Sequence, residues 1–346
     1  MAEVQNNEKP ISVDGLKRYL VANNIEYSDI EQVAGGNANY VFRVSNGEGV
    51  SRIYKHAEPY VAFSKGAIPL PVDRMDYEAT ALQVVHDLLS DVNAVKVPKV
   101  WQYDQPRKVL VMADAGHKTL KEAYSDPDID VAGIGRLLAE WLVLLHHKTR
   151  DIGIGAGGNP TARSIYRYSY SNLAQVAGQY GLDADFCRYV DRTYGCLLQS
   201  DDDSVCHGDF WPGNIVLNQE KTLTVVDWEI CRRGRGETDV AQFAAEAYLL
   251  DRFRGGKGLL DVFLKSYRIK AQEMGKDLTV DRRFTQRVAV HMGVHLAFWP
   301  ASVKWAEPGD TKAVIELGHQ LMRRGDAEDV DWLRENLLGG LLKSDD

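Results

Sequence analysis

The stretch that most constrains this chain is His207-Gly208-Asp209-Phe210-Trp211-Pro212-Gly213-Asn214, followed by Val225-Val226-Asp227-Trp228-Glu229. Between them, residues 215–217 and 223–226 read as two short strands joined by Asn218-Gln219-Glu220-Lys221, a hairpin. A carboxylate is thus followed five positions later by an asparagine, and then by a second carboxylate at the end of an apolar run. That combination is a phosphoryl-transfer pattern. One carboxylate orients a hydroxyl and accepts its proton, while carboxamide and carboxylate oxygens hold Mg²⁺ against phosphate groups. A plain Gly/Pro turn between strands accounts for the glycines and proline, but not for all three polar groups at these spacings. If the second strand stays extended, Asp227 and Glu229 face the same way, and Glu229 either joins Asp227 at the metal or holds a water or a substrate group.

At 346 residues the chain is long enough for a large core and two lobes. Hydrophobic residues make up 45% and charged residues 26%, as in ordinary soluble globular proteins. A net charge of -8 argues against nucleic acid or an anionic membrane as the main partner. The four cysteines show no metal-site spacing and suggest no disulfide framework. No apolar run is long enough to span a bilayer, and residues 1–10 lack the apolar core of a secretory signal, so the expected location is the cytoplasm. No obligate protein partner is evident.

The N-terminal part reads as strands with helices. A short helix is expected over 13–24, then two strand-like segments over 33–44 around Gly35-Gly36-Asn37, a turn suited equally to a hairpin or to close approach of a phosphate. Residues 51–56 form a strand with Ile53 and Lys55 on one face. In the helix expected over 73–89, Glu78 falls on the apolar stripe with Leu82, Val85 and Leu89. A carboxylate there needs a partner, and Lys55 is the natural one; a charge at the stripe's edge is the alternative. Residues 97–100 and 108–112 read as strands, and Ala113-Asp114-Ala115-Gly116 breaks the pattern. From Asp130 the chain reads as mostly helical, with Ile134, Leu138, Trp141 and Leu145 on one face of a long helix. Tyr166, Tyr168 and Tyr170 alternate within residues 164–178, and a further helix is expected to begin near Asp239. Trp299-Pro300 interrupts a later one.

The spacing His-x-Asp-x-x-x-x-Asn resembles the protein-kinase catalytic loop, with Gly208 in place of its Arg and Asp227-Trp228-Glu229 in place of Asp-Phe-Gly. This substitution pattern resembles the aminoglycoside phosphotransferase and choline kinase superfamily. Gly35 to Val44, Tyr54 to Val61 and Asp76 to Leu82 resemble methylthioribose kinases. Lys55-His56-Ala57, Asp227 to Cys231 and the stretch from His291 to Trp305 also resemble fungal hydroxytryptamine kinases. The chain departs from methylthioribose kinases at Phe210-Trp211-Pro212-Gly213, and residues 291–299 carry no basic pair like theirs.

The resemblance implies an α+β, bilobal protein-kinase-like fold. Residues 12–113 would form an ATP-binding lobe of antiparallel sheet plus helix, and residues 114–346 a mostly helical catalytic and substrate-binding lobe. It implies ATP and Mg²⁺ as cofactors and a small-molecule alcohol as substrate, either a methylthioribose-like sugar or an aromatic alcohol or amine metabolite. Asp209 would be the catalytic base, with Asn214, Asp227 and Glu229 at the metal. Gly35, Gly36, Asn37, Lys55 and Glu78 would handle the nucleotide phosphates, and backbone groups of Met112, Ala113 and Ala115 the adenine edge. Asp239 would brace the catalytic loop; as a plain acid in a helix's first turn it would also suit the macrodipole. Trp211, beside Asp209 in the loop, is expected to wall the substrate pocket. Trp299 and Trp305 belong either to that wall or to the core. Two other readings compete. A protein kinase would need an activation loop, for which the eleven residues 228–238 leave little room. A non-catalytic nucleotide-binding module would be expected to have lost Lys55, Asp209, Asn214 or Asp227, and all four are present.

Overall fold

The computed structural model describes residues 9–33, 38–155, 158–218, 222–275, 280–305 and 307–342. It divides into two compact units: the chain to His86 together with Val97–Ala115, and Asp87–Lys96 together with the chain from Gly116 onward.

The first unit is built on a five-stranded antiparallel sheet, in the order Asp29–Gln32, Tyr40–Ser45, Ser51–His56, Val109–Ala113, Val100–Asp104. Register pairs Val41 with Lys55, and Lys55 with Leu110. Because side chains alternate along a strand, Phe42, Val44, Tyr54, Val109 and Val111 share one face and pack with Leu16, Tyr19 and Leu20 of the helix Val13–Ala22. Lys55 points to the opposite face, where Glu78 of the helix Arg74–Leu88 meets it.

Two strand expectations need correction. The first strand is Asp29–Gln32, ahead of the expected segment at 33–44, and its mostly exposed, polar residues carry no apolar alternation to reveal it. The strand expected over 97–100 is instead two, Val95–Lys96 and Val100–Asp104. Pro98 between them has no N–H to give to a ladder. Val95–Lys96 runs parallel to Leu223–Val225, which is why residues 87–96 belong with the second unit.

The second unit is mostly helical. Its long helices are Val131–Lys148, Pro160–Gln179, Glu237–Arg254, Leu259–Glu273, Arg282–Phe298 and Pro308–Asp326. Two small sheets interrupt them. One has the order Val95–Lys96, Leu223–Val225, Ile215–Leu217, Lys118–Thr119, and the other pairs Arg232–Gly234 with Ser204–Cys206. The alternating tyrosines lie on the helix Pro160–Gln179, so Tyr166 and Tyr170 share its inner face while Tyr168 is exposed. The helix Glu237–Arg254 is buried on nearly all sides. Asp130, Asn159 and Asp281 each cap a long helix by accepting from a backbone N–H of its first turn. No described helix is long and apolar enough to cross a membrane. The architecture is the mixed α+β arrangement expected, antiparallel sheet first and helices after.

Candidate active site

The loop that carries Asp209 begins where the strand Ser204–Cys206 ends. Gly208 has φ +87, and a Cβ there would lie 2.1 Å from the Ile230 carbonyl oxygen, so the position excludes the arginine that protein kinases carry. Asp239 holds the turn from below. Its two carboxylate oxygens accept from the backbone N–H groups of His207 at 2.8 Å and Gly208 at 3.0 Å, and one is also 3.2 Å from His146 Nε2. Burial pushes this carboxyl up, but the hydrogen bond and charge of His146, with Arg232 and His207 adding to them, hold it below its ordinary value.

His207 ties the loop to the segment carrying Asp227. The Asp209 N–H donates to His207 Nδ1 at 3.1 Å, so Nδ1 is the bare nitrogen and Nε2–H donates to the Val226 carbonyl at 3.0 Å. The ring lies 4.5 Å from that of Trp228, which is fully buried and donates its indole N–H to Val225 O.

The strand ends at Val225, however, and Asp227 adopts φ +66, with Glu229 in the turn that follows. The extended continuation that would align Asp227 with Glu229 therefore does not exist, which removes the geometric argument for Glu229 as a second metal ligand. Aspartate tolerates this left-handed conformation better than most residues. Glu229 itself is buried.

Asp209 is half-buried and held at both oxygens. Asn214 Nδ2 donates to Oδ2 at 2.9 Å and Gln242 Nε2 to Oδ1 at 2.6 Å. Burial, then the charge of Asp227, pushes its carboxyl up to about 7 against the pull of those two donors. This is the range in which a general base is effective near neutrality. With its amide nitrogen committed to Asp209, Asn214 keeps its carboxamide oxygen as a donor atom for a cation. Together with Asp227 it makes an all-oxygen set that suits Mg²⁺.

Asp209 opens into a cavity of about 220 Å³ whose lining includes Tyr166, Trp211, Gln242, Glu246, Trp299 and Trp305. All three expected tryptophans thus line this cavity. Trp299 is 36% exposed, so it is not a core residue. Gly213 lets the Trp211 ring fold over the loop, since a Cβ there would fall 2.3 Å from it. Lys121 Nζ sits 4.8 Å from the Trp211 ring centre and 4.4 Å from that of Trp305. The helix Glu237–Arg254 supplies Gln242 and Glu246, which the sequence reading missed. Their i, i+4 spacing from each other was visible, but nothing marked that face as facing Asp209.

In the first unit Lys55 Nζ lies 2.9 and 2.8 Å from the two oxygens of Glu78, and both residues are buried. The Ala113 N–H donates to Lys99 O at 2.9 Å, so that backbone group is already committed. Met112 is buried in the central sheet opposite Ile53, and Ala115 is the last residue of the unit. Gly35, Gly36 and Asn37 lie outside the described residues.

Among known proteins, the chain is 26% identical over 337 residues to the 4-hydroxytryptamine kinase of Psilocybe cyanescens, covering 88% of this chain and 90% of that one. It is 27% identical over 251 residues to the methylthioribose kinase of Bacillus mycoides (strain KBAB4), covering 63% and 60% respectively. Among solved structures, the Plasmodium vivax ethanolamine kinase superposes with a TM-score of 0.55 over 93% of both chains at 12% identity. The choline kinase of Streptococcus pneumoniae does so at 0.51 over 92% of this chain and 99% of that one, at 15% identity. These last two are likenesses of fold. The family model described as "Phosphotransferase enzyme family" matches residues 29–275, and the chain belongs to that family.

Proposed function

We propose that this phosphotransferase uses ATP and Mg²⁺ to phosphorylate a hydroxyl of a small aromatic alcohol. One observation carries the reading: the doubly held Asp209 carboxylate opens onto an indole-lined cavity of about 220 Å³. That volume is below the usual span for drug-sized ligands, which favours a compact acceptor. The tryptophan faces suit a flat ring. Relatives similar along most of the chain are named for an aromatic alcohol bearing an amine, and shorter matches are named for a sugar. The cavity wall supports the first class.

On this reading Asp209 accepts a hydrogen bond from the acceptor hydroxyl and takes its proton as the oxygen attacks phosphorus. Gln242 and Asn214 keep both carboxylate oxygens in place. Asn214 and Asp227 would hold the metal, which when bound neutralises charge on the phosphate groups. Lys55, positioned by Glu78, would pair with nucleotide phosphates. The division into a nucleotide-binding segment, 12–113, and a catalytic segment, 114–346, belongs to the same proposal. A protein substrate is disfavoured because residues 228–238 are consumed by a turn, the strand Arg232–Gly234 and the start of the helix Glu237–Arg254.

The test is Asp209→Asn, assayed by ADP release with a panel of aryl alcohols and by nucleotide binding. Turnover should fall by about a hundredfold or more, with ATP affinity retained. Near wild-type turnover would remove Asp209 as the base.

A further inference from the structure

Arg74 opens the helix Arg74–Leu88 and is fully buried, a placement that an arginine tolerates only if its donors are met. Part of the guanidinium closes the segment that leads into the helix. Nη1 donates to Pro71 O at 2.6 Å and Leu70 O at 3.1 Å, and both terminal nitrogens reach Glu58 O at 3.3 Å. The other part reaches a different stretch of chain. Nη2 donates to Asn39 Oδ1 at 2.9 Å and to Ala38 O at 3.4 Å. An arginine offers only donors, so Asn39, itself buried, presents its carboxamide oxygen. Ala38 O also accepts from the Ala62 N–H at 3.1 Å, which joins the same two stretches a second time. Closing the segment before the helix needs none of these bonds to Ala38 and Asn39.

Their value lies in what Ala38 and Asn39 adjoin. In sequence they follow Gly35-Gly36-Asn37 directly and lead into the strand Tyr40–Ser45. That strand pairs with Ser51–His56, Val41 opposite Lys55. Glu78, which holds Lys55, lies four residues after Arg74, so the two share one face of the helix about 6 Å apart along its axis. Successive turns of one rigid element thus grip the chain leaving the glycine stretch and the Lys55 ammonium. A phosphate group held by backbone N–H groups of that stretch and by Lys55 at once needs the two at a fixed separation, and the helix face sets it.

We propose that Arg74, acting through Asn39, is a positioning residue for the nucleotide phosphates. This rests on the reading of the first unit as the one that binds ATP. Arg74 is buried and touches no phosphate; it holds one of the two phosphate-binding elements in register with the other. Losing the tie makes the nucleotide order that element on binding, a cost that falls on phosphates and not on the base.

The test grades binding by phosphate number. Calorimetric dissociation constants are taken for adenosine, AMP, ADP and ATP with Mg²⁺, using wild type, Asn39→Ala, Arg74→Lys and Arg74→Met, with melting temperature in parallel. Asn39→Ala leaves every bond of Arg74 to residues 58–71 in place, so it keeps the question open to measurement even if Arg74→Met fails to fold. It should weaken ATP by about ten- to a hundredfold, the worth of a hydrogen bond to a charged group, and leave adenosine little changed. Arg74→Lys, which keeps the charge and part of the donor set, should fall between wild type and Arg74→Met. Equal losses for adenosine and ATP would reduce Arg74 to a support of the fold and overturn the proposal. So would a phosphate-graded wild type whose grading survives Asn39→Ala; that result leaves the ATP reading standing. A wild-type protein that binds ATP no more tightly than adenosine overturns the proposal together with the nucleotide reading beneath it.

Discussion

Gln242→Leu tests the base and its support together. The wild-type amide donates to Asp209 Oδ1 at 2.6 Å and so favours the ionised carboxylate, whose pKa burial and Asp227 push up to about 7. A hydrogen bond to a charged group is worth about 1.5–3 kcal/mol, and a pKa unit about 1.4 kcal/mol. Losing the donor should therefore raise the Asp209 pKa by about one to two units. The sign follows from which form is stabilised: the ionised form loses a partner, so protonation becomes easier and the active form needs a higher pH. The acid limb of kcat/KM for the acceptor alcohol should move from near 7 to about 8–9. At pH 7 the ionised fraction should drop from about a half to about a tenth or less. The measurement is a pH profile of kcat/KM by coupled ADP release, with melting temperature followed in parallel. Leucine is close in size and the site is partly open, so the fold should survive. A uniform loss of rate with the limb unmoved would refute the argument, because it would mean Gln242 does not set the ionisation of Asp209.

Three further outcomes are expected. Asp227→Ala should abolish the Mg²⁺-dependent part of the ATP-induced rise in melting temperature, which at a hundred times Kd corresponds to about 2.7 kcal/mol; a retained rise would move the metal elsewhere. Lys55→Met leaves the buried Glu78 charge uncompensated and should cost about 3–5 kcal/mol in urea unfolding, whereas Lys55→Met with Glu78→Leu should recover most of that stability without recovering activity. Asp239→Asn sets an amide donor against the N–H groups of His207 and Gly208 and against His146, and should cost about 2–4 kcal/mol while lowering turnover through the displaced loop; a neutral effect on both would deny its bracing role.

The sequence was most readable where chemistry and local conformation demand the same residue. The loop from His207 to Asn214 combines a glycine forced by φ +87, a carboxylate and a carboxamide at fixed spacing, and each has a local reason to be there. Lys55 and Glu78 were readable as a pair because a carboxylate on an apolar helix stripe demands a partner. Asp227 was readable as a residue but not as a conformation. The apolar run Leu223-Thr224-Val225-Val226 looks like a strand continuing through Glu229, but Asp227 turns left-handed and Trp228 after it goes to the core beside His207 and Trp141. No local periodicity records that tertiary demand.

The substrate side was hardest to read, for a physical reason. A helix on the surface displays its inward face as an apolar stripe, but Glu237–Arg254 is buried on nearly every side and has no such contrast. Gln242 and Glu246 therefore look like ordinary polar residues scattered on a helix. Their meaning comes from two facts that only three dimensions supply: Gln242 is spent on Asp209, and the second oxygen of Glu246 is left without a partner next to it. Burying such an oxygen unpaired adds no stability and costs about 1–3 kcal/mol, or more when charged.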